Sequence, residues 1–139
     1  MSLLHNVIIR AMNNIYTYAP LLPTSPNPNP NISSFVTYCT LFLEFVHTHH
    51  HTEETIVFPF IQTKIDMSEN LEQHKAFDEG VKLFEQYVKD VEGGKEVFDG
   101  SKIRELVEAF GDVLVEHLHQ EVRRYSPFLL TTNPSNLYF

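Results

Sequence analysis

A helical stripe of apolar side chains, interrupted by histidine and glutamate, constrains this sequence more than any other feature. After residue 31, the side chains that share one face at helical spacing are Phe35, Cys39, Phe42, Val46, His49, Glu53, Ile56 and Phe60. We predict one helix here, with this face turned inward. Because an unpaired polar group in a core costs about 1–3 kcal/mol, the histidine and the glutamate need partners or a cation.

Three other segments show the same spacing. The first segment ends near residue 18 and its stripe is His5, Ile8, Ile9, Met12 and Ile15. The third ends before Gly93 and its stripe is Leu71, His74, Phe77, Val81, Phe84 and Val88. The fourth follows the turn at residues 99–101 and its stripe is Ile103, Val107, Phe110, Leu114, His117, Glu121 and Tyr125. Four helices with three connections predict an all-α, up-down-up-down four-helix bundle.

Prolines mark the boundaries of these segments, because proline lacks a backbone donor and fixes one backbone angle. The proline-rich stretch 19–31 should be a long, stiff loop. Pro59 should kink or break the second helix near residues 55–59, and Pro127 should end the fourth. We assign residues 1–130 to one metal-binding domain and 131–139 to a tail, whose SNLYF ending resembles a protease-tag linker.

Charge and cysteine content exclude several classes. The net charge is −8, and the 10 Lys and Arg residues are not clustered, which argues against nucleic acid as a partner. The first residues lack the basic region of a signal peptide and the apolar length of a membrane span. We therefore expect a soluble cytoplasmic protein. Cys39 has no second cysteine with which to form a disulfide or a thiolate zinc site.

The polar interruptions fall at one depth of the predicted bundle. In antiparallel helices, a shared site must lie early in the first and third helices and late in the second and fourth. The residues that meet this condition are His5, His49 with Glu53, His74, and His117 with Glu121. Two helices carry the same His-x-x-x-Glu spacing, which puts imidazole and carboxylate about 6 Å apart along the axis, on one side.

These ligand types favour a pair of metal ions. Nitrogen and carboxylate donors without thiolate suit iron, manganese or zinc, and bridging carboxylates favour a dinuclear site. Six or seven ligands are too many for one zinc, which is usually four-coordinate. Two octahedral irons would use them all, and manganese or a mixed iron and manganese pair remains an alternative.

Nearly the whole chain resembles the hemerythrin-like (HHE cation-binding) domains, through LLHNVIIRAMNNIY, HHHTEETIVFP, LEQHKAF and LVEHLHQEV. Members of that family hold a non-heme di-iron centre that binds or reacts with O2. The resemblance implies a histidine ligand from each helix and two bridging glutamates, and its implied ligands are His5, His49, Glu53, His74, His117 and Glu121.

The sequence departs from the oxygen-carrying members, whose third helix has two histidines one turn apart. Asn70 stands four residues before His74 instead, and His50 is a candidate for the missing nitrogen. His50 is either a ligand or a hydrogen-bonding neighbour of one. The pair His50 and Glu54 has the same spacing as His49 and Glu53, but its stripe contains more polar residues. His47, His51 and His119 should face solvent or support the ligands.

Two functions remain open. The first, which we favour, is activation of O2 for oxidation of a small organic substrate, as in a di-iron oxidase or oxygenase. The second is binding or sensing of O2, nitric oxide or iron without turnover. A substrate-sized cavity beside the metals would favour the first, and a tight apolar pocket would favour the second.

Overall fold

The computed structural model describes residues 2–25 and 29–131, with side chains for residues 3–25 and 29–124. Its helices are α1 (Ser2–Tyr18), α2 (Pro30–Thr52), α3 (Phe58–Ile61), α4 (Ser68–Glu92), α5 (Gly100–Glu108) and α6 (Gly111–Thr131). A 3-10 turn (Ala19–Leu21) follows α1, and a π-helical turn (Glu53–Val57) joins α2 to α3. The described ranges contain no β-strand, only a bridge between Ser25 and Phe98. The all-α prediction is confirmed.

Within the described ranges, no helix has both the length and the apolar character that a membrane span requires.

Helices that pack against each other are antiparallel. Phe42 of α2 packs on Phe84 of α4, and His50, further along α2, packs on His74, which comes earlier in α4. The same reversal relates α1 to α5 and α6, and relates α4 to α6. The main core lies between these helices and includes Ile8, Ile15, Cys39, Phe42, Phe84, Phe110 and Leu114.

The predicted inward-facing stripe of the second helix is interrupted after Glu53. The Phe58 amide donates to the Glu53 carbonyl, five residues back, so the backbone makes a π-helical turn. That turn contains an extra residue and rotates the next residues about the helix axis. Ile56 and Phe60 were predicted to face inward, but they are 58% and 64% exposed. Phe58 and Ile61 are buried in their place. The predicted disturbance near residues 55–59 is confirmed.

The predicted fourth helix is two helices, α5 and α6, so the count of four is not confirmed for the described chain. α5 ends at Glu108, and the Phe110 amide donates to the Val107 carbonyl, which tightens the last turn before α6 begins. At this break α4 comes very close, because a Cβ on Gly80 would lie 2.8 Å from the Cβ of Phe110. Glycine is therefore required at position 80.

Two more predictions need correction, and one lies partly outside the described residues. α6 continues to Thr131, so Pro127 does not end it: a proline removes one hydrogen bond but leaves the next residues free to stay helical. Leu71 is 39% exposed and Asn70 is buried instead. In the proline-rich loop, a 3-10 turn follows α1 and the Asn29 side chain caps α2, while residues 26–28 lie outside the description.

Candidate metal centre

The predicted ligands meet inside the helices at one end of the core. Six of them are at most 8% exposed, namely His5, His49, Glu53, His74, His117 and Glu121. His50 is partly buried beside them. These side chains come from α1, α2, α4, α6 and the π-helical turn, so tertiary packing brings them together.

One group of ligand atoms belongs to His5, His49, Glu53 and Glu121, and these atoms all lie within 4.8 Å of one another. His49 Nε2 is 3.2 Å from Glu53 Oε1, and His5 Nε2 is 3.4 Å from Glu121 Oε2. Ligand atoms bonded at about 2.1 Å to one octahedral ion lie about 3.0 Å apart when adjacent and about 4.2 Å when opposite. This group can therefore hold one metal ion.

A second group consists of His50, Glu53, His74 and His117, again within 4.8 Å. It shares Glu53 with the first group. Glu53 Oε2 is 3.6 Å from His74 Nε2, whereas Glu53 Oε1 faces His49. The carboxylate thus extends one oxygen toward each group.

Glu121 has the same two-sided arrangement. Its Oε2 lies near His5, and its Oε1 is 3.7 Å from His117 Nε2. Two carboxylates, one from the π-helical turn and one from α6, therefore lie between the two groups. This is the geometry expected of bridging ligands for a pair of ions.

Hydrogen bonds at Nδ1 orient three of the imidazoles. His5 Nδ1 lies 3.1 Å from the Leu118 carbonyl oxygen, and His117 Nδ1 lies 3.0 Å from Gln73 Oε1. His74 Nδ1 lies 2.7 Å from Glu54 Oε1. Since carbonyl and carboxylate oxygens can only accept, each Nδ1 donates and the hydrogen of the neutral ring is at that nitrogen. Each Nε2 is then an unprotonated donor atom for a metal.

The Nε2 atoms of His74 and His117 lie 3.0 Å apart. With both hydrogens at Nδ1, these two nitrogens present lone pairs to each other, which is repulsive without a cation. Other buried atoms of the cluster have no hydrogen-bond partner among the described residues, namely Nε2 of His5, His49 and His50 and both oxygens of Glu53. A metal pair would satisfy all of them, so the donor set fits the group that the sequence predicts.

Burial sets the charge of these side chains. Burial first, and then the neighbouring histidines, lower the pKa of His49 to about 4, of His117 to about 3 and of His50 to about 2. Burial also raises the pKa of Glu53 to about 8. At neutral pH the imidazoles are therefore neutral and ready to bind a metal, whereas Glu53 keeps its proton until a cation replaces it.

Two chains of amide side chains support the ligands, and the sequence did not predict them. The Gln73 amide donates to Gln120, which donates to Glu116 at 2.9 Å, so the Gln73 oxygen is left to accept from His117. Glu116, an exposed residue, ends this chain of hydrogen bonds. One feature of the sequence could have indicated this support: Gln73 and Gln120 immediately precede His74 and Glu121.

The second chain of hydrogen bonds begins at the Arg124 guanidinium, which donates to Asn70 Oδ1 at 2.7 Å. Asn70 Nδ2 then donates to Glu121 Oε1 at 3.3 Å. Asn70 therefore holds the Glu121 carboxylate from the position four residues before His74.

The alternative pair does not form within the cluster. Glu54 has a side chain that is 45% exposed, it belongs to neither ligand group, and it orients His74 from outside. His47, His51 and His119 are exposed, as predicted. His47 lies 3.2 Å from Glu85 on the surface.

A groove of about 440 Å³ lies between α2 and α4, beside the second ligand group. His50 and His74 form part of its wall, together with Phe77, Glu54 and the more distant Val46 and Val81. Cavities of 300–1,000 Å³ are the usual size for small-molecule sites. The groove is therefore large enough for a small organic molecule and adjoins the candidate metal ligands.

Comparison with known proteins gives one family and one relative. The family model described as the hemerythrin HHE cation binding domain matches residues 1–129. The dimeric xanthone biosynthesis cluster protein R11 of Cryptosporiopsis sp. (strain 8999) is 25% identical over 122 residues, which cover 85% of this chain and 44% of that protein. The chain thus spans less than half the length of this relative. No solved structure matches the chain significantly.

Proposed function

This chain belongs to the hemerythrin HHE cation binding domain family, and we propose that it holds two iron ions and reacts with O2. The first ion would be bound by His5 and His49, and the second by His50, His74 and His117. Glu53 and Glu121 would bridge them. This set uses every buried histidine and glutamate of the described cluster.

The shared carboxylates carry this proposal. Glu53 directs its two oxygens to imidazoles of different groups, His49 and His74, which favours two ions over one. The lone-pair contact between His74 and His117 independently favours a cation in the second group. Nitrogen and carboxylate donors with no thiolate suit iron, with manganese as the alternative.

The ions would supply the redox chemistry with O2, and the protein side chains would bind and orient them. Two hydrogen bonds fix the planes of these rings. His5 donates to the Leu118 carbonyl, and His117 donates to the Gln73 side chain. Glu53 would release its proton as it takes up the bridging position. Phe58 and Phe77 pack against the His74 ring and limit the access of water.

Within this function we favour oxidation of a small organic substrate over O2 binding without turnover. The groove of about 440 Å³ supports this preference, since it reaches His50 and His74 and exceeds what a diatomic molecule needs. The relative named for a dimeric xanthone biosynthesis cluster supports it as well, because that name refers to the making of an organic product.

Metal analysis of the purified protein tests the proposal when it is combined with visible spectroscopy. We expect about two irons per chain and a near-ultraviolet charge-transfer band that bleaches with dithionite and returns in air. Substoichiometric metal without such a band would overturn the di-iron assignment. O2 that is taken up by the reduced protein and released again under argon would instead favour binding without turnover.

A further inference from the structure

We propose that the groove between α2 and α4 binds flat phenolic molecules, with the ring against an aromatic wall and the hydroxyl donating to Glu54. This inference rests on the proposed function, because it names the class of substrate for the same centre. The aromatic wall is defined here as the rings of His50, His74 and Phe77.

The three rings pack on one another at one side of the groove, where His50 is partly exposed and His74 and Phe77 are 5% and 3% exposed. The ring centroid of His50 lies 4.5 Å from that of His74 and 4.9 Å from that of Phe77, and the centroids of His74 and Phe77 are 5.7 Å apart. Aromatic groups at such distances favour offset or tilted stacking with a further ring. A flat ring in the groove would therefore contact this wall chiefly at His50, the most accessible of the three rings.

The rest of the lining is mixed, with apolar side chains beside the polar His47, His51, Lys75 and Asp78. Val46 of α2 and Leu71 and Val81 of α4 also line the groove. Leu71 is 39% exposed, at the outer edge. A ring bound in the groove would cover this side chain.

Glu54 supplies the polar contact. Its Oε1 lies 2.7 Å from His74 Nδ1, and a carboxylate has further lone pairs on its second oxygen. The Glu54 side chain is 45% exposed and lines the groove, so that oxygen can accept a hydrogen bond from a ligand. A phenol would then be hydrogen-bonded to the residue that orients a proposed metal ligand.

The charges around the groove favour a neutral donor. Lys75 pairs with Glu72 at 2.9 Å and Asp78 pairs with Lys82, so neither offers an unpaired charge to a ligand. A carboxylate ligand would be repelled by Glu54. A phenol provides the hydrogen-bond donor without a charge to desolvate.

Equilibrium dialysis of iron-loaded protein against 2-naphthol and 2-methoxynaphthalene tests the proposal, since only the first has a donor hydrogen. We expect 2-naphthol to bind about tenfold more tightly. In Glu54→Gln, the amide oxygen can still accept from His74 while the amide nitrogen cannot accept from the probe, so the preference should disappear. Equal affinity of the wild type for both probes would overturn the proposal.

The place of binding is tested by a matched pair of variants on α4. Leu71→Trp fills the outer edge of the groove and should weaken 2-naphthol binding by about tenfold. Leu83→Trp puts the same side chain at an exposed leucine that does not line the groove, and it should bind like the wild type. An equal effect of both variants would place the probe elsewhere.

Iron content is measured in every sample, so that the two proposals can fail separately. Two irons per chain without 2-naphthol binding would overturn the groove assignment and leave the di-iron centre. Binding of 2-naphthol with the expected variant effects but without iron uptake would overturn the proposed function and leave the groove assignment.

Discussion

Removal of the metal ions should destabilise the protein strongly, because the metal-free cluster leaves buried polar atoms without partners. Four side chains, His5, His49, His50 and Glu53, have such atoms among the described residues. Each unsatisfied group costs about 1–3 kcal/mol, and a protonated Glu53 can donate to His49 Nε2, 3.2 Å away. Counting only His5 and His50, the metal-free chain should lose at least about 2 kcal/mol of unfolding free energy. For a chain of this size, 1 kcal/mol corresponds to about 3–5 °C, which gives a Tm lower by at least about 6 °C.

Circular dichroism at 222 nm measures this loss during heating of the iron-loaded and the chelator-stripped protein at the same pH. The loss should be reversed when iron(II) is added back without air. A Tm difference below about 3 °C would refute the reasoning, because it would mean that water or rearranged side chains satisfy the cluster as well as metal does.

Glu53→Met is a control in which the metal-free protein should become more stable. The variant has a side chain of similar volume and no buried carboxyl group, so its metal-free form should be about 1–3 kcal/mol more stable than the metal-free wild type. It should gain no stability from iron. If the metal-free variant were instead less stable, the buried carboxyl would have to be well satisfied in the wild type.

Three further predictions concern the ligands and their support. His117→Ala and Glu53→Ala should each lose most of the bound metal whereas His51→Ala should keep it, as measured by elemental analysis, and equal losses would refute the ligand assignment. Gln73→Leu should weaken metal binding by about 10–100-fold in a chelator competition, because His117 loses the acceptor that fixes its ring; unchanged affinity would refute this role. Metal binding at pH 7 should release about one proton from Glu53, whose pKa is raised to about 8, and almost none at pH 9. Calorimetry in buffers of different ionisation enthalpy measures that proton, and equal release at both pH values would contradict the raised pKa.

The sequence predicted which polar side chains are buried in the cluster, because helical periodicity determines which side chains face inward. His49 and Glu53 lie on the same stripe as Cys39 and Val46, and all four are buried. Opposite helix directions then required His74 to lie at the same depth, and the structure places it there. Periodicity is a local property of the chain, and the packing of the helices preserves it.

The errors occurred where the backbone leaves the regular helix. Ile56 and Phe60 are exposed because the π-helical turn rotates the chain, and the pattern of apolar residues gives no sign of that turn. The break before Gly111 coincides with the close approach of Gly80 to Phe110, which is a tertiary contact between distant residues. Periodicity cannot predict such contacts.

The supporting hydrogen bonds were missed for a related reason. Gln73 and Gln120 are ordinary polar residues of two helices, and their contact with each other and with His117 depends on how these helices are rotated. Glu54 was weighed as a ligand, but its side chain bonds His74 from outside the cluster. Spacing along one helix identifies neighbours on that helix and does not identify partners on the next.

The most direct test of the central claim is a crystal structure of the iron-loaded protein with anomalous diffraction data collected at the iron absorption edge. The account predicts two peaks about 3.5–4 Å apart, one beside His5 and His49 and the other beside His50, His74 and His117, with Glu53 between them. A single peak, or two peaks that do not share Glu53, would contradict it.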